Sequence, residues 1–137
     1  LDTAHTMLTT AGDQPSGYAP FYYEALHISF RGECHLRLGD ADGAVYCAQQ
    51  SLRTLDQSRA RDMAMTIVDL GEAYVLRKEI DEATRLLGDA GEIAARNSSA
   101  RLFERLKQGR AELQPWEHAA AVRQLDDRFC GLRPSVK

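Results

Sequence analysis

The 137-residue sequence predicts an all-α fold of stacked helical hairpins, and three observations predict it. First, a short phrase recurs at almost constant spacing: L-D-T-A at 1–4, A-D-G-A at 41–44 and I-D-E-A at 80–83. Second, each phrase is followed seven residues later by another small residue, pairing Ala4 with Ala11, Ala44 with Ser51 and Ala83 with Ala90. Small residues seven apart share a helical face and let a neighbouring helix approach closely. Third, Gly32 and Gly71 stand at the same offset ahead of Ala44 and Ala83, and Gly109 follows Gly71 at nearly the interval that separates the first two. A glycine inside a helix costs about 1 kcal/mol relative to alanine, so one that recurs needs a reason. Tight helix–helix contact supplies it. Self-similarity at a period of roughly 33–47 residues is the mark of a helical solenoid.

The elements follow in order. Residues 1–11 are expected to be the end of a truncated repeat. The stretch G-D-Q-P-S-G-Y-A-P at 12–20 holds two glycines and two prolines in nine residues and reads as a loop. A first repeat spans 21–56, with a helix over about 21–38, a turn at Gly39-Asp40 and a helix over about 41–55. Ile28, Gly32, His35 and Leu36 mark one face of its first helix. A second repeat spans 59–96, with helices over about 59–77 and 80–96, and Ile67, Leu70, Gly71, Tyr74 and Val75 repeat that face. Asp42 and Asp81 sit near the starts of the two second helices, where a carboxylate favours exposed N–H groups. Asn97-Ser98-Ser99 offers an N-cap for a helix running to about 113, and Pro115 suits the first turn of a last helix ending near Gly131. Residues 99–131 therefore read as a C-terminal helical hairpin, giving about seven helices in one domain over 1–137.

Composition narrows the function. At 44% hydrophobic the chain can bury one sizeable core, and no run of about 18 apolar residues is present to span a membrane. The opening residues carry Asp2 and His5 and no Lys or Arg, unlike a signal peptide. With no initiator Met, the chain is expected to be a piece of a longer protein. A net charge of −3 argues against direct nucleic-acid binding, which needs a basic surface. Three cysteines, Cys34, Cys47 and Cys130, make no disulfide framework, so free thiols in a reducing cytoplasm are expected.

No chemistry-bearing constellation emerges. Cys34 and His35 are adjacent and so point about 100° apart on a helix, a poor arrangement for joint ligation. There is neither a C-x-x-C nor an H-x-x-x-H pair to recruit Cys47 or His27 to a metal, and no glycine-flanked nucleophile, so neither metal, cofactor nor catalysis is expected. Tyr18, Phe21, Tyr22 and Tyr23 crowd beside the expected loop, either capping the first core layer or rimming a ligand pocket with polar tips. Arg96, Arg101, Arg105, Lys107 and Arg110 crowd onto one segment, as a solvated face or as an attraction for an acidic partner or a second subunit.

The segment G-E-C-H-L-R-L-G-D-A-D-G-A-V-Y-C-A-Q-Q-S, with Gly32, Gly39, Ala44 and Ser51, resembles the tetratricopeptide repeat. Its copy G-E-A-Y-V-L-R-K-E-I-D-E-A-T-R-L-L-G-D-A matches at Gly71, Tyr74, Ala83 and Ala90, and departs from the family at Lys78, where glycine is usual. The family's proline after the second helix is missing from both copies, and the repeats exceed the usual length. Such long repeats resemble those of bacterial regulators that join a DNA-binding helix-turn-helix domain to a repeat-built sensor. The resemblance implies a right-handed superhelix whose first helices line a concave groove for a peptide, protein segment or small effector. The position after the repeat glycine usually faces that groove, which implies Glu33, Glu72 and Arg110 as binding residues, with Arg37 and Asp69 nearby and Tyr22 or Tyr23 at the edge. Stacked acids would favour a basic or amide-rich peptide. The expected function is thus a non-catalytic interaction or sensor module of a cytoplasmic transcription regulator, the alternative a structural module for homodimerisation.

Overall fold

The computed structural model describes residues 20–56 and 58–132, with side chains from His27 onward other than Ser29. Among these residues the fold is all-helical: α1 (Pro20–Arg37), α2 (Ala41–Thr54), α3 (Ala60–Leu76), α4 (Ile80–Asn97), α5 (Ala100–Ala111) and α6 (Ala120–Leu132), with a 3-10 turn at Gln114–Trp116. The helix expected over 1–11 and nearly all of the expected loop lie outside the described residues, as do the side chains of Tyr18, Phe21, Tyr22 and Tyr23. No described helix is long and apolar enough to cross a membrane.

The turns show why the chain reverses where it does. After α1, the backbone N–H groups of Leu38, Gly39 and Asp40 donate to the carbonyls of Cys34, Leu36 and His35 at 3.0, 3.0 and 2.8 Å. After α3, those of Arg77, Lys78 and Glu79 donate to Ala73, Val75 and Tyr74 at 3.1, 2.9 and 2.9 Å, the same three bonds in the same order. This closure satisfies the helix's last carbonyls and needs one residue in the left-handed region. Gly39 fills that place with φ +76°, Lys78 with φ +63°. Asp40 then caps α2, its carboxylate accepting the Gly43 N–H at 3.0 Å, whereas Glu79 makes no such cap on α4. Ser98 takes the left-handed conformation after α4, and the Ser99 hydroxyl caps α5 by accepting the Leu102 N–H at 3.2 Å.

The recurring glycines sit where helices touch. A Cβ placed on Gly32 would lie 3.1 Å from the Cβ of Cys47 and 3.9 Å from the Ala44 carbonyl oxygen on α2. On Gly71 it would lie 3.3 Å from Leu87 and 3.5 Å from the Ala83 carbonyl oxygen on α4. Leu87, fully buried, also meets Gly109 of α5, where a Cβ would come within 3.1 Å of its Cδ2. One leucine of α4 therefore wedges between the glycines of α3 and α5. It anchors a core cluster with Ala64, Val68, Leu102, Leu106, Leu113, Val122 and Leu125. A smaller cluster joins Ala44, Val45 and Ala48 to Leu70, Ala73 and Leu86, and Ile67 and Tyr74 pack against both.

The last segment departs from expectation. Pro115 does not open the final helix: it lies in the 3-10 turn, where Trp116 and Glu117 donate to the Leu113 and Gln114 carbonyls at 2.8 and 3.1 Å, and α6 starts only at Ala120. The tighter winding aligns residues three apart, so that Leu113, fully buried, and Trp116 both reach the core. Beyond the turn α6 packs chiefly on α4. Its Arg128 lies across Gly88 and its Phe129 against Gly91, two α4 positions where a Cβ would collide with those side chains.

Candidate functional site

Helices α1, α3 and α5 line one side of the described residues, where they border an open groove of about 1170 Å³. α1 contributes Glu33 and Arg37, α3 contributes Asp62, Asp69 and Glu72, and α5 contributes Arg101, Arg105 and Gln108. Four of the residues singled out from the sequence thus share one cavity: Glu33, Arg37, Asp69 and Glu72. Tyr22 and Tyr23 lie on α1 with side chains outside the described residues. Arg110 is not among the groove's lining residues. It pairs instead with Asp126 of α6, donating from Nε and Nη2 at 2.6 and 2.9 Å. The third copy of the position after the glycine is therefore committed to holding α6. Two parallel donors on one carboxylate fix its direction more firmly than repeat register does.

The groove is built around Arg105, one of the basic run that the sequence offers as a solvated face or as an attraction for an acidic partner or second subunit. Arg105 reaches from α5 to α3, donating from Nη1 to Glu72 Oε2 at 2.5 Å and from Nη2 to Asp69 Oδ1 at 2.6 Å. Its side chain is 17% exposed, Glu72 is 17% and Asp69 is 22% exposed. Burial works against the charge on Arg105, and the hydrogen bond to Glu72 with the charges of both acids outweighs it and keeps the guanidinium protonated. Burial also pushes the Asp69 carboxyl up to about 6; Arg105 opposes the rise, and the nearby charges of Glu72 and Glu33 add to it. A signal for Arg105 was present. It stands four residues before Gly109, the place that Ile28 and Ile67 hold before Gly32 and Gly71. A charge where two copies carry isoleucine calls for a buried partner.

The remaining lining charges are less engaged. Glu33 and Arg37 face each other along α1 at 3.5 Å, both well exposed, a pairing of little energetic weight. Arg61 and Arg101, each the second residue of its helix, line the same end of the groove and make no ion pair among the described residues. Two large apolar side chains also stand open in the cavity, Phe30 of α1 at 52% and Leu76 of α3 at 43% exposure. No group of three or more His, Cys, Asp or Glu among the described residues is placed to hold a metal ion. His35 of the sequence's candidate set lies 2.9 Å from Asp40 at the turn, and Cys34, Cys47 and Cys130 are free thiols. Compared with known proteins, the chain matches no family model, no curated protein and no solved structure.

Proposed function

We propose that the chain is a tetratricopeptide-like solenoid of α-hairpins serving as a non-catalytic interaction or sensor module, which holds a peptide, protein segment or small ligand in the α1–α3–α5 groove. The observation that carries this reading is the groove itself: about 1170 Å³ of open space that crosses three helices and mixes charged, polar and exposed apolar side chains. Such a surface suits a ligand better than bare solvent, since Phe30 and Leu76 stay wet unless something covers them. Two turns with identical bonding, at Gly39 and at Lys78, and glycines at matching helix contacts support the repeat architecture.

In this reading the module belongs to a cytoplasmic transcription regulator. Ligand in the groove biases the orientation or dimerisation of an attached DNA-binding domain, and nucleic-acid contact is left to that domain because this chain carries a net charge of −3. The test is to pan a peptide library on the folded domain and to repeat the selection with Gln108→Trp. Gln108 is an exposed residue in the groove's lining, so the indole fills the cavity without entering the core. Selected peptides should lose binding to the variant while its helical circular dichroism is unchanged. If no peptide is selected and sedimentation shows reversible dimers instead, the self-association alternative replaces this one.

A further inference from the structure

We infer that the groove selects an extended peptide segment with acidic side chains at one end and apolar side chains at the other, the acids lying on Arg61 and Arg101. This rests on the groove reading above and goes on to name the chemistry of its occupant. From the sequence, stacked acids at Glu33 and Glu72 imply a basic or amide-rich partner, and the side-chain pairing takes Glu72 out of that role. Glu72 and Asp69 are already held by one buried guanidinium, so a ligand lysine would have to displace Arg105 from both. Breaking such a pair costs far more than an exposed contact returns.

Among the lining charges, Glu112 just past α5 and the two arginines at the starts of α3 and α5 make no ion pair among the described residues. Arg61 on α3 and Arg101 on α5 come from neighbouring helices, line one end of the cavity and have no carboxylate partner among the described residues. Asp62 beside them is already 4.0 Å from Arg59. An acid arriving there gains two guanidinium partners and displaces none. Further along the same groove stand two exposed apolar side chains, Phe30 of α1, which matches Asp69 of α3 in the Gly32–Gly71 register, and beyond it Leu76 at the end of α3. Arg61 and Leu76 lie at opposite ends of one helix, a rise of about 22 Å, which about six or seven extended residues span. The occupant's acids and its outermost apolar side chain are separated by that interval.

The probe is a fluorescein-labelled nonapeptide with two aspartates at one end, two leucines at the other and serine and glycine between, made in both chain directions. Anisotropy should show saturable binding in one direction that weakens with added salt. Arg61→Glu with Arg101→Glu should reduce affinity on the order of tenfold, and Phe30→Ser with Leu76→Ser should erase the preference for leucine over serine. All four positions are exposed, and matched melting curves check that the variants fold; should the reversal disturb folding, Arg61→Gln with Arg101→Gln carries the same test. A peptide with lysines in place of the aspartates binding more tightly overturns the inference and leaves the groove reading standing. Equal binding of an aspartate peptide without leucines also overturns it, reducing the site to an anion contact. Failure of every peptide, with no selection from the library, removes both.

Discussion

Lys78 holds a backbone conformation that the equivalent turn gives to Gly39, and φ +63° is strained for any residue with a Cβ. The bonding around it is that of the Gly39 turn, so the strain is local and removable. Lys78→Gly should stabilise the protein by about 0.5–1 kcal/mol, the relief being partly offset by the greater freedom of glycine in the unfolded chain; a lower melting temperature would contradict it. The other strained group is electrostatic. Because the Asp69 carboxyl is raised from 3.8 to about 6, the folded protein takes up a proton there before the unfolded chain does as pH falls. Its contribution to stability is full below about 4 and is lost as pH rises through about 6. Glu33 of α1, Glu72 of α3 and Arg105 of α5 are the charges that face it. Glu82 and Glu92, whose carboxyls arginine hydrogen bonds hold below the usual range, act in the opposite sense and only at lower pH. Between pH 7 and pH 5 the wild type should therefore gain about 1 kcal/mol in urea unfolding, and Asp69→Asn should flatten that gain. An equal gain in the variant would assign it to another group.

At the scale of the element, Leu87 decides how α3, α4 and α5 fit. It is fully buried and touches the sites of Gly71 and Gly109 from the helix between them, so neither glycine can acquire a side chain without moving it. Leu87→Ala leaves a void that rigid helix backbones cannot close and should cost about 3–5 kcal/mol in denaturant unfolding, whereas a loss below about 1 kcal/mol would mean the helices collapse freely. This level of structure was largely legible from the residues. Gly32, Gly71 and Gly109 marked the contacts, Gly39-Asp40 the turn and Asn97-Ser98-Ser99 the cap that Ser99 makes, because glycine, capping and small-residue signals are local and tied to helix geometry. Helix ends through Ala111 fall within two residues of those expected. Beyond Ala111 the local signals misled: Pro115 satisfies a 3-10 turn as well as an α-helix, and what separates the two is the pull of Leu113 and Trp116 on the core. The groove was legible in position but not in charge. Glu33, Arg37, Asp69 and Glu72 share it, but which acids stay free depends on Arg105, 33 and 36 residues away from its partners. Arg110 was assigned by register and is claimed by Asp126, another pairing across helices that periodicity does not encode.

Over the whole molecule, the packing is uneven along the chain. α4 lies against α3, α5 and α6, and the larger core cluster draws its buried residues from α3 through α6. α1 and α2 pack on each other and join the rest through fewer residues: Ala44, Val45 and Ala48 meet Leu70, Ala73 and Leu86, and Ile67 and Tyr74 bridge the two clusters. Among the described residues the α1–α2 pair meets the rest across one interface, and an element packed on one side opens at lower free energy than one held between two. Native-state hydrogen exchange in low urea should therefore show the amides of α1 and α2 released by a sub-global opening, and those of α4 released only with global unfolding. Leu87→Ala should lower the protection of α4 far more than that of α2. Leu52→Ala, at a partly buried α2 position in the smaller cluster, should lower α1 and α2 and leave α4 unchanged. One shared opening free energy for all helices in both variants would mean that Ile67 and Tyr74 couple the clusters into a single cooperative unit. Because the groove lies across both parts, α1 supplying Phe30, Glu33 and Arg37 and α3 and α5 most of the facing side chains, the opening of α1 and α2 also removes one wall of the site. A ligand that bridges the walls must then protect α1 amides by RT ln(1 + [L]/Kd), and this added protection against the sub-global opening of α1 and α2 is the whole-molecule signature of an occupied groove.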